Sequence, residues 1–266
     1  MQHHKAIFIS DIHLGSQYSS AEQLCSFLES ISWDHLYLVG DFLDFWTINS
    51  RRCYWDEHHT RVIQILLDRV GKGQKVTYCV GNHDGIIRQF KHMFPIELSN
   101  ITVCDQIIHT TQAGKNYLVM HGDQFEQFPQ WATPFIKIAD YGYHFLLWLG
   151  KLIKQSDDRK KVTISKQAKK IAKKWVKKLF KIDRKIIKEC ITKKVDGIIL
   201  GHTHDPIEKF YKKIHILNDG DWVEHNTAII EQQDGSLKTI YWTESKQTNR
   251  DEQIEEGNNC NPHIQR

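Results

Sequence analysis

Five short blocks of this chain carry side chains able to bind metal. They are Asp11-Ile12-His13, Gly40-Asp41-Phe42, Gly81-Asn82-His83-Asp84, His121-Gly122-Asp123 and Gly201-His202-Thr203-His204. Carboxylate, imidazole and amide oxygen together suit Mn²⁺, Fe²⁺ or Zn²⁺ better than the all-oxygen sites of Ca²⁺. Two such ions, about 3.5–4 Å apart, can share one carboxylate and one water, lower the pKa of that water toward neutrality and neutralise phosphate oxygens during in-line attack. No cysteine or serine nucleophile is then required. Any one block has a plainer explanation: an isolated Asp-x-His is commonly a turn, His121 alone a satisfied core histidine, His202 and His204 alone a pair of strand-end residues. The weight lies in the ordered set.

The elements around these blocks explain how they could meet. Apolar runs at 5–10, 36–39, 76–80 and 197–200 read as buried strands, and each leads directly into a block. His121 closes a fifth run, 117–121. Helical spacing over 20–31 (Leu24, Phe27, Leu28, Ile31) and 57–70 (Val62, Ile65, Leu66, Val70) alternates with the early strands. That alternation predicts parallel βαβ units. In such sheets ligands bind beyond the carboxyl ends of the strands, so the blocks should gather on one edge. Gly40, Gly81, Gly122 and Gly201 are expected to permit the tight turns there. Further short strands are expected at 101–104, 106–111, 207–211, 214–218, 227–232 and 238–242, with a hairpin turn at 113–115 and a largely antiparallel end. The class is α/β, with two packed sheets flanked by helices.

The chain has 266 residues, 40% of them hydrophobic, enough for a buried core. Its net charge of +4 is unevenly spread: residues 159–194 hold 16 Lys/Arg against Asp183 and Glu189, a local +14, so the remainder sums to −10. None of the six cysteines forms a CxxC pair, and nothing demands an oxidising compartment. The N-terminus enters a strand without a signal-peptide pattern, and no apolar run reaches the ~20 residues of a membrane span. A cytoplasmic location, peripheral on the inner membrane, is expected. The polar tail 244–266 is expected to be disordered.

The order DxH, GD, GNHD, His, GHxH resembles the calcineurin-like metallophosphoesterases. That resemblance implies a four-layer, two-sheet sandwich over residues 1–243. It also implies a first metal held by Asp11, His13 and His204 and a second by Asn82, His121 and His202, with Asp41 shared. His83 would stabilise the transferring phosphoryl group or protonate the leaving oxygen, and Asp84 would orient His83, with a helix N-cap over 85–94 as its alternative or joint role. FISDIHLGS, LYLVGDFLDFW, GNHD, HGDQF, GHTH and NDGDW are similar to the UDP-2,3-diacylglucosamine hydrolase group of that family. The resemblance implies cleavage of a pyrophosphate in a lipid-linked nucleotide, giving lipid X and UMP. The best-known members of that group carry Arg where this chain has His83, and GNHD is the wider family's form. Alternatives are a phosphodiesterase or phosphatase acting on nucleotides or phospholipids, and, from a different class, a non-catalytic interaction module. The resemblance implies two divalent ions, with Mn²⁺ first and Fe²⁺ or Zn²⁺ as alternatives.

Between the fourth and fifth blocks the resemblance implies a helical lid, 129–194. Residues 163–192 have an amphipathic pattern with lysines on the polar face. Three readings of that face stay open: an anionic membrane surface, favoured, then a solvated face, then nucleic acid. Trp131, Phe135, Tyr141, Phe145, Trp148 and Trp175 could line an acyl pocket or simply attach the lid. Phe42 and Asp44 are expected on the rim of the site. Asp219-Gly220-Asp221 reads as a turn, and Trp222 is expected beneath the 201–204 loop.

Overall fold

The computed structural model describes residues 2–90, 97–98, 100–126 and 182–243. The expectations for residues 129–181, which include the acyl-pocket aromatics and most of the lysine face, and for the tail 244–266 lie outside the described residues. The chain divides into two compact units, one of residues 1–122 and 193–266, the other of residues 123–192.

The first unit opens with strand β1 (Gln2–Ile9), helix α1 (Ala21–Ser30), strand β2 (Ile31–Val39), the short helix α2 (Phe45–Ile48), helix α3 (Glu57–Gly71) and strand β3 (Lys75–Cys79). Helix α4 (Ile86–Phe90) and strands β4 (Glu97–Leu98), β5 (Ile101–Cys104), β6 (Gln106–Thr110) and β7 (Asn116–Met120) follow. Past the second unit come β8 (Gly197–Leu200), β9 (Ile207–Tyr211), β10 (Ile214–Asn218), β11 (Thr227–Glu231) and β12 (Leu237–Tyr241). In the second unit the described elements are a 3₁₀ turn at Asp123–Glu126 and helix α5 (Ile182–Lys193), and Lys185 Nζ donates to the Phe125 carbonyl at 3.1 Å.

One sheet has seven strands in the order β12-β11-β1-β2-β3-β5-β4, the other five in the order β6-β7-β8-β10-β9. The expected parallel units are present: β1 with β2, β2 with β3, and β3 with β5. The central strands are apolar on both faces because both faces are covered. One face of the larger sheet (Ile7, Ile9, Leu36, Leu38, Val76) packs with Leu24, Phe27, Val62 and Ile65 of α1 and α3. Its other face (Ala6, Phe8, Tyr37, Val39, Cys79) meets Tyr117, Val119, Ile199 and Leu217 of the smaller sheet.

The expected largely antiparallel end is present but divided between the two sheets, with β11 antiparallel to β12 in the larger one. β10 lies between β8 and β9, parallel to the first and antiparallel to the second. β11 then leaves for the larger sheet, where it pairs antiparallel with β1. Burial accounts for the sorting: β10 and β11 are buried along nearly their whole length, whereas β9 and β12 alternate with polar, exposed positions and serve as edges.

A buried polar chain ties the two sheets together. Tyr37 of β2 meets His109 Nδ1 of β6 at 3.0 Å, and His109 Nε2 lies 2.9 Å from Glu231 Oε2 of β11. Glu231 Oε1 accepts the Gln112 N–H at 2.6 Å. Glu231 is 1% exposed, so removing its carboxylate leaves the buried His109 ring without that partner. Glu231→Ala is expected to cost about 1–3 kcal/mol in denaturant unfolding. A loss under about 1 kcal/mol would show that the chain of bonds contributes little beyond packing.

Candidate metal centre

The loop after β1 lies against the loop after β2 through a short backbone ladder: Asp11 N–H donates to Gly40 O (3.1 Å), His13 N–H to Asp41 O (2.9 Å) and Leu14 N–H to Phe42 O (2.9 Å). The loop after β8 is tied to the loop after β7 by Gly201 N–H to His121 O (3.1 Å), and to the first loop by His202 N–H to Asp11 Oδ2 (2.7 Å). The blocks therefore converge where the strands of both sheets end, as a parallel arrangement requires.

The backbone is bent hard to achieve this. Asp11, His13, Asp41, His202 and His204 all have positive φ, between 51° and 66°. L-residues visit that region at a cost, and persistent cases cluster at functional sites. Glycine serves in two ways. Gly40 and Gly122 supply positive φ, 89° and 106°. Gly81 and Gly201 are needed for closeness instead, because a Cβ would enter the Asp41 carboxylate at the first and Ser10 with Asp11 at the second.

The metal-binding atoms of Asp11, His13 and His204 lie within 4.8 Å of one another, as do those of Asp41, His121 and His202. Asn82 Oδ1 is 3.1 Å from His121 Nε2. All seven expected ligands are thus brought together. The same criterion also groups His83 with His13 and Asp41.

The polarity of these atoms fits cations. His121 Nδ1 lies 2.9 Å from the Val39 carbonyl and can only donate there. In a neutral ring this leaves an Nε2 lone pair facing Asn82 Oδ1 and, at 3.2 Å, Asp41 Oδ2. His204 is held likewise: its Nδ1 contacts Asp221 Oδ2 at 2.9 Å and its Nε2 faces Asp11 Oδ1 at 3.2 Å. Asp11 Oδ1 and His13 Nε2 are buried without a hydrogen-bond partner, 3.8 Å apart. Buried acceptors converging on each other are costly unless a positive charge joins them.

Without metal, protons take that part. Burial alone would lower the pKa of His13, but Asp11, Asp44 and Asp41 outweigh it and raise it to about 10. His204 is raised against its own burial to about 10 by Asp11 and Asp221. Burial would push Asp11 up, but His204 and His13 hold it well below the usual carboxylate range. The two raised histidines stabilise the metal-free fold fully below about 6.5, and that contribution is lost as pH rises through about 10. A metal must displace both protons. Binding at pH 7 is expected to release about two protons and to tighten as pH rises. Calorimetry in buffers of different ionisation enthalpy measures the release, and no release would show that the histidines are already neutral.

Several supporting residues differ from expectation. Asp84 does not orient His83. Its carboxylate accepts N–H groups from Gly81 (2.5 Å) and Phe42 (3.0 Å) and the Tyr78 hydroxyl, fixing the loops from beneath. Nor does its side chain cap α4, which begins at Ile86. Asp44 takes the orienting position: its Oδ1 lies 3.1 Å from His83 Nδ1 and its Oδ2 3.7 Å from His13 Nδ1. Asp44 also caps α2 through the Thr47 N–H at 3.0 Å. Asp44 and Phe42 are buried rather than on the rim. The exposed residue there is Trp46, 52% exposed, whose indole stacks on His83 with centroids 3.9 Å apart. Asp219 and Asp221 are buried hydrogen-bonding groups, not a plain surface turn. Trp222 packs against Phe27 of α1 at 5.1 Å, while its backbone N–H donates to Asp11 O at 3.2 Å. The only sequence signal for Asp44, Asp219 and Asp221 is their density near strand ends.

A two-sheet α/β body with an Asp/His/Asn cluster at its strand ends is the architecture of the metallophosphoesterases. The family profile of the calcineurin-like phosphoesterases matches residues 4–206, and the chain belongs to that family. Two relatives are each described as a UDP-2,3-diacylglucosamine hydrolase. The one from Vibrio atlanticus is 27% identical over 123 residues, 45% of this chain and 47% of the relative. The one from Tolumonas auensis is 28% identical over 121 residues, 44% and 46%. The match thus spans about half the length of these relatives. Among solved structures, a phosphoesterase from E. coli aligns over 90% of this chain and 99% of its own, with 15% identity and a TM-score of 0.43. An archaeal phosphodiesterase aligns over 89% and 98%, with 12% identity and a TM-score of 0.43. No helix among the described residues is long and apolar enough to cross a membrane.

Proposed function

We propose that this chain hydrolyses a phosphoester or pyrophosphate bond with two divalent ions. Asp11, His13 and His204 hold the first, Asn82, His121 and His202 the second, and Asp41 is shared. The observation that carries this reading is the convergence of buried acceptors: Asp11 Oδ1 and His13 Nε2 have no hydrogen-bond partner, and His121 Nε2 faces Asn82 and Asp41 oxygens at 3.1 and 3.2 Å. Bound there, divalent ions supply an acidified attacking water and offset phosphate charge.

The protein's own groups do the rest. His83, at the mouth, is turned by the Asp44 contact on Nδ1 so that its Nε2 serves the substrate, donating to the phosphoryl group or giving a proton to the leaving oxygen. Asp44 orients that ring through this contact. Trp46 covers one face of the imidazole and limits water there.

The substrate we propose is UDP-2,3-diacylglucosamine or a close lipid-linked analogue. The names of the two relatives and the FISDIHLGS, GDFLDFW and NDGDW segments support it. The second reading is a phosphodiesterase or phosphatase acting on nucleotides or phospholipids. His83, where the best-known UDP-2,3-diacylglucosamine hydrolases carry Arg, favours it. The test is an assay of Mn²⁺-reconstituted protein on UDP-2,3-diacylglucosamine beside bis-p-nitrophenyl phosphate. A much higher kcat/KM with UMP release from the lipid nucleotide supports the first reading. Turnover of the generic diester alone rejects it in favour of the second, and turnover of neither counts against both.

A further inference from the structure

Ser10 presents a counting problem. Its Oγ is 2.5 Å from Asp11 Oδ2 and 2.6 Å from Asp219 Oδ1. The Gly220 carbonyl is a more distant neighbour at 3.4 Å. A hydroxyl carries one proton and can donate it to one acceptor. If both carboxyls were ionised, one of these short contacts would set lone pair against lone pair in a buried site. A second proton is needed, and it must sit on one of the two carboxyls.

Asp11 is the poorer holder. Its Oδ2 already accepts the His202 N–H at 2.7 Å, and its Oδ1 faces His204 Nε2 at 3.2 Å and His13 Nε2 at 3.8 Å. Asp219 is 0% exposed, its Oδ2 has no partner, and among the described residues it makes no ion pair. Its backbone is pinned on both sides: its N–H donates to Leu200 O at 2.9 Å, and its carbonyl accepts the Thr227 hydroxyl at 2.6 Å. The carboxyl cannot swing toward solvent.

We propose that Asp219 is a neutral carboxylic acid that donates to Ser10, so that Ser10 donates to Asp11 and fixes the angle at which Asp11 presents its other oxygen to metal. Asp219 and Ser10 are therefore positioning residues, neither touching metal nor substrate. The electrostatics agree. Burial pushes the Asp219 carboxyl well above the usual range; Ser10 and His121 oppose it, and the Asp11 charge adds to it. The bare Cα of Gly201 belongs to the same device, because a side chain there would collide with Ser10 and Asp11.

The inference rests on Asp11 being a metal ligand, and the experiment separates the two claims. Metal affinity of each variant is measured by competition with a chelator, beside the infrared spectrum of the metal-loaded protein at neutral pH. Asparagine copies a neutral aspartic acid, with one N–H donor toward Ser10. Asp219→Asn is therefore expected to bind metal within about threefold of wild type, whereas Asp219→Leu and Ser10→Ala weaken one site by about 10–100-fold. A protonated-carboxyl C=O band is expected in wild type and absent from Asp219→Asn. If Asp219→Asn binds as poorly as Asp219→Leu, or the band is missing from wild type, the neutral acid is wrong. If Ser10→Ala binds both metals normally, the strut is wrong, and this small substitution decides the matter should Asp219→Leu fail to fold. Should Asp11→Ala also bind two metals normally, the metal assignment itself fails.

Discussion

Asp41→Ala is expected to lower metal content from two ions to at most one and kcat/KM by about 10³-fold or more, roughly 4 kcal/mol of transition-state stabilisation. The Asp41 side chain reaches both halves of the site. Asp41 is 2% exposed, its Oδ2 lies 3.2 Å from His121 Nε2 and 3.9 Å from His13 Nε2, and its Oδ1 accepts the His83 N–H at 2.8 Å. One carboxylate thus faces both ligand groups and holds the loop of the candidate acid. Burial opposes its charge, yet His121, His83 and His13 together hold its carboxyl below the ordinary range. Alanine removes that charge and leaves the imidazoles facing one another. Asp41→Asn separates charge from shape: an amide oxygen can still accept the His83 N–H, so this variant should fold as wild type while its metal content falls. Metal analysis and steady-state kinetics on both variants are decisive. Two bound ions and an unchanged rate in Asp41→Ala would remove the basis of the proposed function.

The second large effect belongs to His83 and Asp44. His83→Ala is expected to lower kcat by about 10²–10⁴-fold at saturating metal. Its metal content should stay at two ions, because His83 is assigned to the substrate. Since His83 also groups with His13 and Asp41, loss of an ion in His83→Ala would instead make it a ligand. Asp44→Ala should lower kcat less, and it also removes the α2 cap, at about 1 kcal/mol of stability. If Asp44 acts by orienting His83, the double variant should be little worse in kcat than His83→Ala alone. Residues that act as a unit are strongly non-additive. Fully additive losses would show that Asp44 works elsewhere, with its 3.7 Å approach to His13 as the first place to look.

What was legible in the sequence was the chemistry and its framework. The seven candidate ligands could be named because each follows, or in His121 closes, an apolar run, and side-chain type sets what a group can bind. β5, β8, β9 and β10 fall on their expected residues, and α1 and α3 start or end within a residue or two, because their periodicity is a local property. β2 begins five residues before its apolar run: His35 interrupts that pattern, yet Ile31, Ser32, Trp33 and His35 pair in register with β1.

The partnerships were decided only in three dimensions. Asp84 is next to His83 in sequence, yet it turns inward to Gly81, Phe42 and Tyr78, and the group beside His83 is Asp44, 39 residues away. Asp221 reaches His204 across 17 residues, and Ser10 reaches Asp219 across 209. Such contacts depend on which strands are neighbours. β10 beside β8 sets Asp219 and Asp221 against the Gly201–His204 loop, and β11 beside β1 closes the larger sheet next to it. Strand order is settled by burial over the whole core, a sum to which every apolar run contributes, so a short window of sequence cannot contain it. Ligand identity is a property of single residues; the orientation of those ligands belongs to the fold.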